Sequence, residues 1–364
     1  MNILGIITNM QETLNNNPKV LENQEKAKLI NKYWDDSNFK IQIGGESLTL
    51  RECYERQIAY SDKVFESTKK LSAEIIPEGK YILFINSAQG GTADHPEIGL
   101  VAKERIEMMY RMETGSDEIN EESKAKFQEN NMRRCLGLEP RDQRLRAINA
   151  YNEEIPKDLS NCVGVVFSGS KADVLDEEDG ENIAMRESVR EFMLHTHEKE
   201  IDVPKFGICF GGQLSAEVYA DAKIGYVKDM QGEKTRTQGV NEIYKTRTGK
   251  YFSFWDELPH TIYVPQDHGQ EIERKTVESM HAEVLAENTN GGVEVLYLKE
   301  AEALCTQFHP EAGSIRMDIS ESLYGNKIPP NVLFENDTDK VREVFFTLFI
   351  KTIGRYLEGL EKKN

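Results

Sequence analysis

The chain has few cysteines and an unfavourable balance of positive charge, and both shortages exclude functions. Five cysteines in 364 residues, at 53, 135, 162, 209 and 305, form an odd, scattered set without C-x-x-C spacing. That excludes a disulfide framework and a thiolate zinc site, and it points to a reducing compartment. Lys and Arg number 45 against 63 Asp and Glu, a net charge of -18 with a pI near 5.0. A nucleic acid or an anionic membrane would need a basic face, so neither is expected as a partner. No stretch approaches the roughly 18 apolar residues of a membrane span. The opening Met1-Asn2-Ile3-Leu4-Gly5-Ile6-Ile7-Thr8 is apolar, but it is too short and lacks the basic start of a secretory signal. A cytoplasmic protein is the expectation. The P-loop pattern G-x-x-x-x-G-K-[ST] is missing, and no cofactor is called for. His195-x-His197-Glu198 is no metal site either. On a helix, residues two apart point about 200° away from each other. The acidic run from Asp173 to Glu181 reads as a solvated loop.

What is present is enough for a sizeable core, with 38% hydrophobic residues. The length suits two average domains or one α/β domain with insertions. Apolar runs at residues 3–8, Tyr81 to Asn86 and Cys162 to Phe167 read as buried strands. Helical spacing marks Pro18 to Lys32, Leu50 to Leu71 and Met185 to Ile201. Further strands are expected at Ile262 to Val264, at Val293 to Tyr297 and before residue 309. Thr338 suits the N-cap of a last helix whose stripe, Val341, Phe345, Phe349, Ile353, Tyr356 and Leu360, is core packing. Alternating strands and helices predict an α/β fold: one domain over 1–364, its mostly parallel sheet flanked by helices and its site at the carboxyl ends of the strands. Residues 89–161, charged and helix-prone, read as a helical insertion, and 221–257 as an irregular one.

The most informative residues are Phe206-Gly207-Ile208-Cys209-Phe210-Gly211-Gly212-Gln213. A lone cysteine stands between an apolar run and an expected helix, with glycines that let the backbone bend sharply. This is the layout of a nucleophile elbow, which lifts one side chain above the sheet edge. The helix N-terminus that follows favours negative charge at the sulfur. About a hundred residues on, Cys305-Thr306-Gln307-Phe308-His309-Pro310-Glu311 reads as a strand ending in a histidine and a carboxylate. Nucleophile, base and orienting acid thus follow in order: Cys209, His309 and Glu311. The upstream triplet His95-Pro96-Glu97 lacks a preceding strand end and reads as a chance turn.

These two motifs resemble those of the class I (triad) glutamine amidotransferases and the related gamma-glutamyl hydrolases. The resemblance implies a flavodoxin-like α/β fold and hydrolysis of the γ-amide of glutamine through a γ-glutamyl thioester on Cys209. It implies an oxyanion hole from the backbone N–H of Phe210 and of the Ser168-Gly169-Ser170 turn, where relatives often have glycine in place of Ser170. It also implies that Gln213 contacts bound glutamine. Val264-Pro265-Gln266-Asp267-His268-Gly269-Gln270 resembles a strand-turn of the family with a conspicuous histidine, typically preceded by serine, which makes His268 a binding candidate. The substrate is then glutamine or a γ-glutamyl compound, and an amidotransferase would pass ammonia to a separate acceptor or synthetase protein. A stand-alone gamma-glutamyl hydrolase and a catalytically silent scaffold are the alternatives.

Overall fold

The computed structural model describes residues 36–38, 41–43, 46–88, 107–108, 110–111, 114–115, 126–175, 177–199, 201–229, 231–246, 256–277, 282–312 and 337–363. The expected strand at 3–8, the helix from Pro18, the His95-Pro96-Glu97 triplet and most of residues 89–125 lie outside them.

A short hairpin, β1 (Ile41–Ile43) and β2 (Glu46–Leu48), precedes helix α1 (Leu50–Ile75). Thr49 caps α1 with a capping box: its hydroxyl accepts from the Glu52 N–H, and the Glu52 carboxylate accepts from the Thr49 N–H. Strand β3 (Tyr81–Asn86), helix α2 (Phe127–Cys135), β4 (Leu145–Asn149), β5 (Cys162–Phe167), helix α3 (Gly180–Glu198), β6 (Lys205–Ile208) and helix α4 (Phe210–Ala220) follow. Asp179, at the end of the acidic run, caps α3 by accepting from the Glu181 and Asn182 N–H groups. The chain continues through β7 (Ile224–Tyr226), β8 (Thr237–Lys245), β9 (Thr261–His268), β10 (Gln270–Ile272) and the single turn α5 (Arg274–Val277). Strands β11 (Ala282–Asn288), β12 (Val293–Leu298) and β13 (Ala303–Thr306) and helix α6 (Asp337–Lys363) complete it. Thr338 therefore lies one residue inside the last helix.

Nine strands form one mixed sheet in the order β4-β3-β5-β6-β13-β12-β11-β8-β9. The five from β4 to β13 run parallel, and the remaining four pair antiparallel. In the parallel half both faces are covered. On β3, Ile82 and Phe84 enter one core with α2 and α6, and Leu83 and Ile85 enter the other with α3 and α4. That is why β3 and β5 are continuous apolar runs. In α6, Val341, Phe345, Phe349 and Ile353 are buried as the stripe predicts, whereas Leu360 emerges into solvent. Phe345, Phe346 and Phe349 surround Phe206 of β6 at centroid distances of 6.5, 5.4 and 5.8 Å, and Phe345 meets Phe308 at 5.4 Å. Each buried phenylalanine contributes roughly 1.5–3 kcal/mol, so this cluster anchors the two strands that lead into both motifs.

Two segments differ from the sequence expectation. The stretch 89–161 is not helical throughout: β4 pairs in parallel with β3 and forms an edge of the main sheet. The stretch 221–257 contains β7 and β8, and β8 pairs with both β9 and β11. These strands are only partly apolar, so their sequences carry no long buried run; neighbouring strands impose the extended form.

Candidate active site

Cys209 follows β6 directly and has φ 50 and ψ -110, a backbone that a non-glycine residue holds only under constraint. The constraint is visible. The Cys209 N–H donates to Thr306 O of β13 at 2.7 Å, and the Gly211 N–H donates to Ser168 O at the end of β5 at 3.2 Å. The glycines of the motif are required by close approach. A Cβ on Gly211 would lie 2.6 Å from Phe167 O, and one on Gly207 would lie 2.8 Å from Gly211 O. The elbow thus presses α4 against two strands and leaves the sulfur over the sheet edge.

The second motif ends in a β-turn. The Ala312 N–H donates to His309 O at 3.0 Å, with Pro310 at the second position, where its fixed φ suits the turn. The turn brings together side chains two residues apart: His309 Nδ1 lies 2.8 Å from Glu311 Oε1. Glu311 takes Nδ1, which leaves Nε2 as the nitrogen for the sulfur of Cys209, whose Cβ and His309 Cε1 both lie against Gly169. The His309 N–H donates to Pro265 O of β9 at 2.9 Å, so the antiparallel half of the sheet curls back to the site. From the opposite side, Asn131 Nδ2 of α2 and Arg342 Nη2 of α6 both donate to Glu311 O, at 3.0 and 2.6 Å.

Burial pulls the His309 proton affinity down. The carboxylate of Glu311, hydrogen-bonded to it, and the nearby Cys209 outweigh this and hold His309 well above the ordinary histidine value. A histidine that keeps its proton in the resting site is set to protonate a leaving amine.

The Ser168-Gly169-Ser170 turn lies alongside. A Cβ on Gly169 would come within 2.6 Å of His309 Cε1 and 3.5 Å of Cys209 Cβ, so glycine there is a steric requirement. Ser170 is not among the described non-glycine residues of positive φ, so a side chain is tolerated at that position. Among the described residues, the N–H groups of Gly169, Ser170 and Phe210 donate to no protein acceptor. Donors of this kind beside a nucleophile can receive developing oxyanion charge.

Gln213, expected to contact bound glutamine, is tied into the fold through its amide. It is buried, and its Nε2 donates to Gln270 O at 2.8 Å and to Gln307 Oε1 at 3.1 Å. Both amide hydrogens are thereby engaged within the fold. Gln307 is oriented in turn so that its Nε2 lies 3.8 Å from Cys209 Sγ. His268, also buried, donates from Nδ1 to Gln270 O at 2.9 Å, and burial pushes its pKa down to about 4. It is therefore neutral, with Nε2 an unpartnered acceptor. Gln307 stands in the quoted motif without an assigned role, and a buried arginine next to Val341 in an apolar helix stripe was the available sign for Arg342. Nothing in the sequence marks Asn131. His195 and His197 lie on α3 away from any metal-ligating cluster, and among the described residues no such cluster exists. No helix among them is long and apolar enough to cross a membrane.

The family described as "Glutamine amidotransferase class-I" matches residues 127–320, a span that holds the elbow, the Gln307–Glu311 motif and the sheet between them. The chain belongs to the class-I glutamine amidotransferase family, whose members in general hydrolyse the glutamine amide. Similar solved structures include a glutamine amidotransferase from Thermotoga maritima, at 18% identity and a TM-score of 0.47, covering 76% of this chain and 99% of the other. A glutamine amido transferase from Methylobacillus flagellatus is 12% identical with a TM-score of 0.43, covering 77% and 94%. The glutaminase domain of Trypanosoma brucei CTPS, solved with bound acivicin, is 11% identical with a TM-score of 0.37, covering 72% and 94%. A comparison with curated protein sequences returned no match.

Proposed function

We propose that the protein is a cysteine-dependent glutaminase in which Cys209, His309 and Glu311 act as nucleophile, proton carrier and orienting acid. The observation that carries the reading is the convergence of the strained Cys209 with the His309–Glu311 pair beside three unpaired N–H donors. Cys209 Sγ attacks the γ-carbonyl carbon of glutamine, and the carbonyl oxygen gains negative charge facing the N–H groups of Phe210 and of the 168–170 turn. His309 gives its proton to the amide nitrogen as the carbon–nitrogen bond breaks, so ammonia leaves and a γ-glutamyl thioester remains. Water then yields a proton to His309 and attacks the thioester, releasing glutamate and restoring Cys209. Glu311 keeps Nδ1 protonated throughout, and so leaves Nε2 to exchange the mobile proton.

As an amidotransferase subunit, the protein would pass this ammonia to a separate acceptor protein. The test is a substrate comparison between L-glutamine and a γ-glutamyl anilide. Preference for glutamine supports the glutaminase. Cleavage of the anilide alone makes the protein a stand-alone gamma-glutamyl hydrolase working through the same thioester. A Cys209 thiol that resists glutamine-like diazoketones, in a protein silent on both substrates, makes it a scaffold.

A further inference from the structure

Two buried glutamines beside Cys209 are joined in one direction, and that direction ends at the sulfur. The ends of the two motifs meet where the Cys209 N–H donates to Thr306 O at 2.7 Å, and Gln307 is the residue that follows this carbonyl. Gln213 lies one turn along α4 from Cys209. All three side chains are buried. Gln270 O can only accept, so the Gln213 atom 2.8 Å from it is the amide nitrogen. The same nitrogen faces Gln307 at 3.1 Å, which makes the atom it meets Oε1. The other end of the Gln307 amide, Nε2, is thereby turned to Cys209 Sγ, 3.8 Å away. Reversing Gln307 would set two amide nitrogens against each other. Reversing Gln213 as well would set its oxygen against Gln270 O. The backbone is pinned too: the Gln307 N–H donates to Glu294 O at 2.8 Å, and the adjoining Phe308 is fully buried.

A donor held in this way has a chemical use. Among the described residues, the sulfur is the one acceptor that Gln307 Nε2 reaches. A thiol is a weak acceptor, whereas a thiolate carries a full charge, so the contact strengthens when the proton leaves. A hydrogen bond to the charged form favours that form. Sulfur is negative at two moments of thioester chemistry. The first precedes the step in which its electron pair forms the bond to the carbonyl carbon. The second comes when that bond breaks and the pair returns to sulfur. An amide already fixed in place needs no reorganisation at either moment.

We propose that Gln307 is a further catalytic residue, whose side-chain amide donates to Cys209 Sγ and stabilises the thiolate, and that Gln213 is the positioning residue that aims it. This deepens the glutaminase reading and rests on it for the reaction that the sulfur performs. The donors then divide by role. The N–H groups of Phe210 and of the 168–170 turn serve the carbonyl oxygen, and Gln307 serves the nucleophile.

The test is the rate at which iodoacetamide alkylates Cys209 across pH, read by mass on the Cys209 peptide. It compares wild type, Gln307→Met, Gln307→Glu, Gln213→Met and the Gln213→Met/Gln307→Met double variant, each checked for folding by circular dichroism. The charged groups that bear on Cys209, namely His309 with its partner Glu311 and Arg236, are the same in all of them. Gln307→Met should raise the pH of half-maximal rate by about one pH unit, the scale of one hydrogen bond to a charged group. Gln307→Glu keeps the amide's shape and the acceptor for Gln213, so it carries the test should the methionine variant fail to fold. Its carboxylate should raise the midpoint at least as far. Gln213→Met should move the midpoint the same way by less, and the double variant should match Gln307→Met, because Gln213 acts through Gln307. An unchanged midpoint in the folded Gln307 variants overturns the proposal, and shifts that add in the double variant overturn the role of Gln213. Glutamine turnover on the same samples should show kcat about tenfold lower in Gln307→Met with KM near wild type. A raised KM with the midpoint in place would make Gln307 a substrate contact and overturn its role at the sulfur. If wild type releases no ammonia, the glutaminase reading fails while the midpoint still decides the contact.

Discussion

Arg342 Nη2 donates to the backbone carbonyl of Glu311 at 2.6 Å, from a helix that begins 26 residues after that turn. The same guanidinium reaches Pro310 O through Nε at 3.4 Å, and Asn131 holds Glu311 O from α2. The turn that aims Glu311 at His309 is thus clamped by two helices. Arg342→Met should lower kcat about tenfold or more while leaving the KM for glutamine near its wild-type value, because the loss falls on alignment and not on binding. Arg342→Lys should restore part of kcat. A fall in thermal stability with unchanged kcat below the melting temperature would reduce Arg342 to a structural residue.

Glu311 is one of the charges that hold His309 above its ordinary value. If protonated His309 serves as the acid for the leaving amine, activity falls as pH rises through its pKa. Glu311→Gln removes that support, so the alkaline limb of kcat/KM should move to lower pH and the maximum should drop. An alkaline limb that stays in place would show that another group governs it.

Gly169 has no room for a methyl group, which would stand 2.6 Å from His309 Cε1. Gly169→Ala should push the imidazole off line and reduce kcat about a hundredfold, the scale of a misplacement near 1 Å. The clash falls on the end of one side chain at a turn and not on backbone, so the melting temperature should shift by less than about 4 °C. Near-normal turnover in this variant would remove the His309–Cys209 alignment from the mechanism.

How much of this the sequence discloses depends on the range of the interactions. Strands β3 and β5 are legible because burial on both faces forces an unbroken run of apolar or small residues, five in β3 and six in β5. Strand β8, Thr-Gln-Gly-Val-Asn-Glu-Ile-Tyr-Lys, is not, since partner strands and not its own composition set its form. Cys209, His309 and Glu311 are legible because each motif is local: a turn and its glycines, or a histidine and a carboxylate two residues apart. The supports are not. Asn131 acts across 180 residues and Arg342 across 31, and Gln213 is drawn by its motif toward substrate although its amide props Gln307.

Buried Glu294 on β12 offers a test of the sheet behind the site. It accepts from Gln266 Nε2 at 2.6 Å and Asn288 Nδ2 at 3.0 Å, while its backbone carbonyl accepts from the Gln307 N–H. Burial pushes its pKa up to about 8, against 4.5 for an ordinary glutamate. Protonated, it presents a donor, and a turned Gln266 amide would bring its unpartnered Oε1 to that proton. The folded state keeps the proton where the unfolded chain releases it, so this contribution is whole below about pH 4.5 and is lost as pH rises to about 8. Glu294→Gln mimics the protonated form. It should match wild type near pH 4.5 in urea unfolding and gain on it up to pH 8, by at most about 4–5 kcal/mol. Parallel stability curves for the two proteins would show that Glu294 does not titrate in this range.

The most direct test of the central claim is the release of ammonia and glutamate from L-glutamine by the purified protein beside Cys209→Ala. The account predicts equimolar release by wild type and its loss in the variant, which should fold normally because alanine leaves the sheet and elbow contacts in place. Comparable release by Cys209→Ala would contradict the thioester mechanism and every role assigned around it.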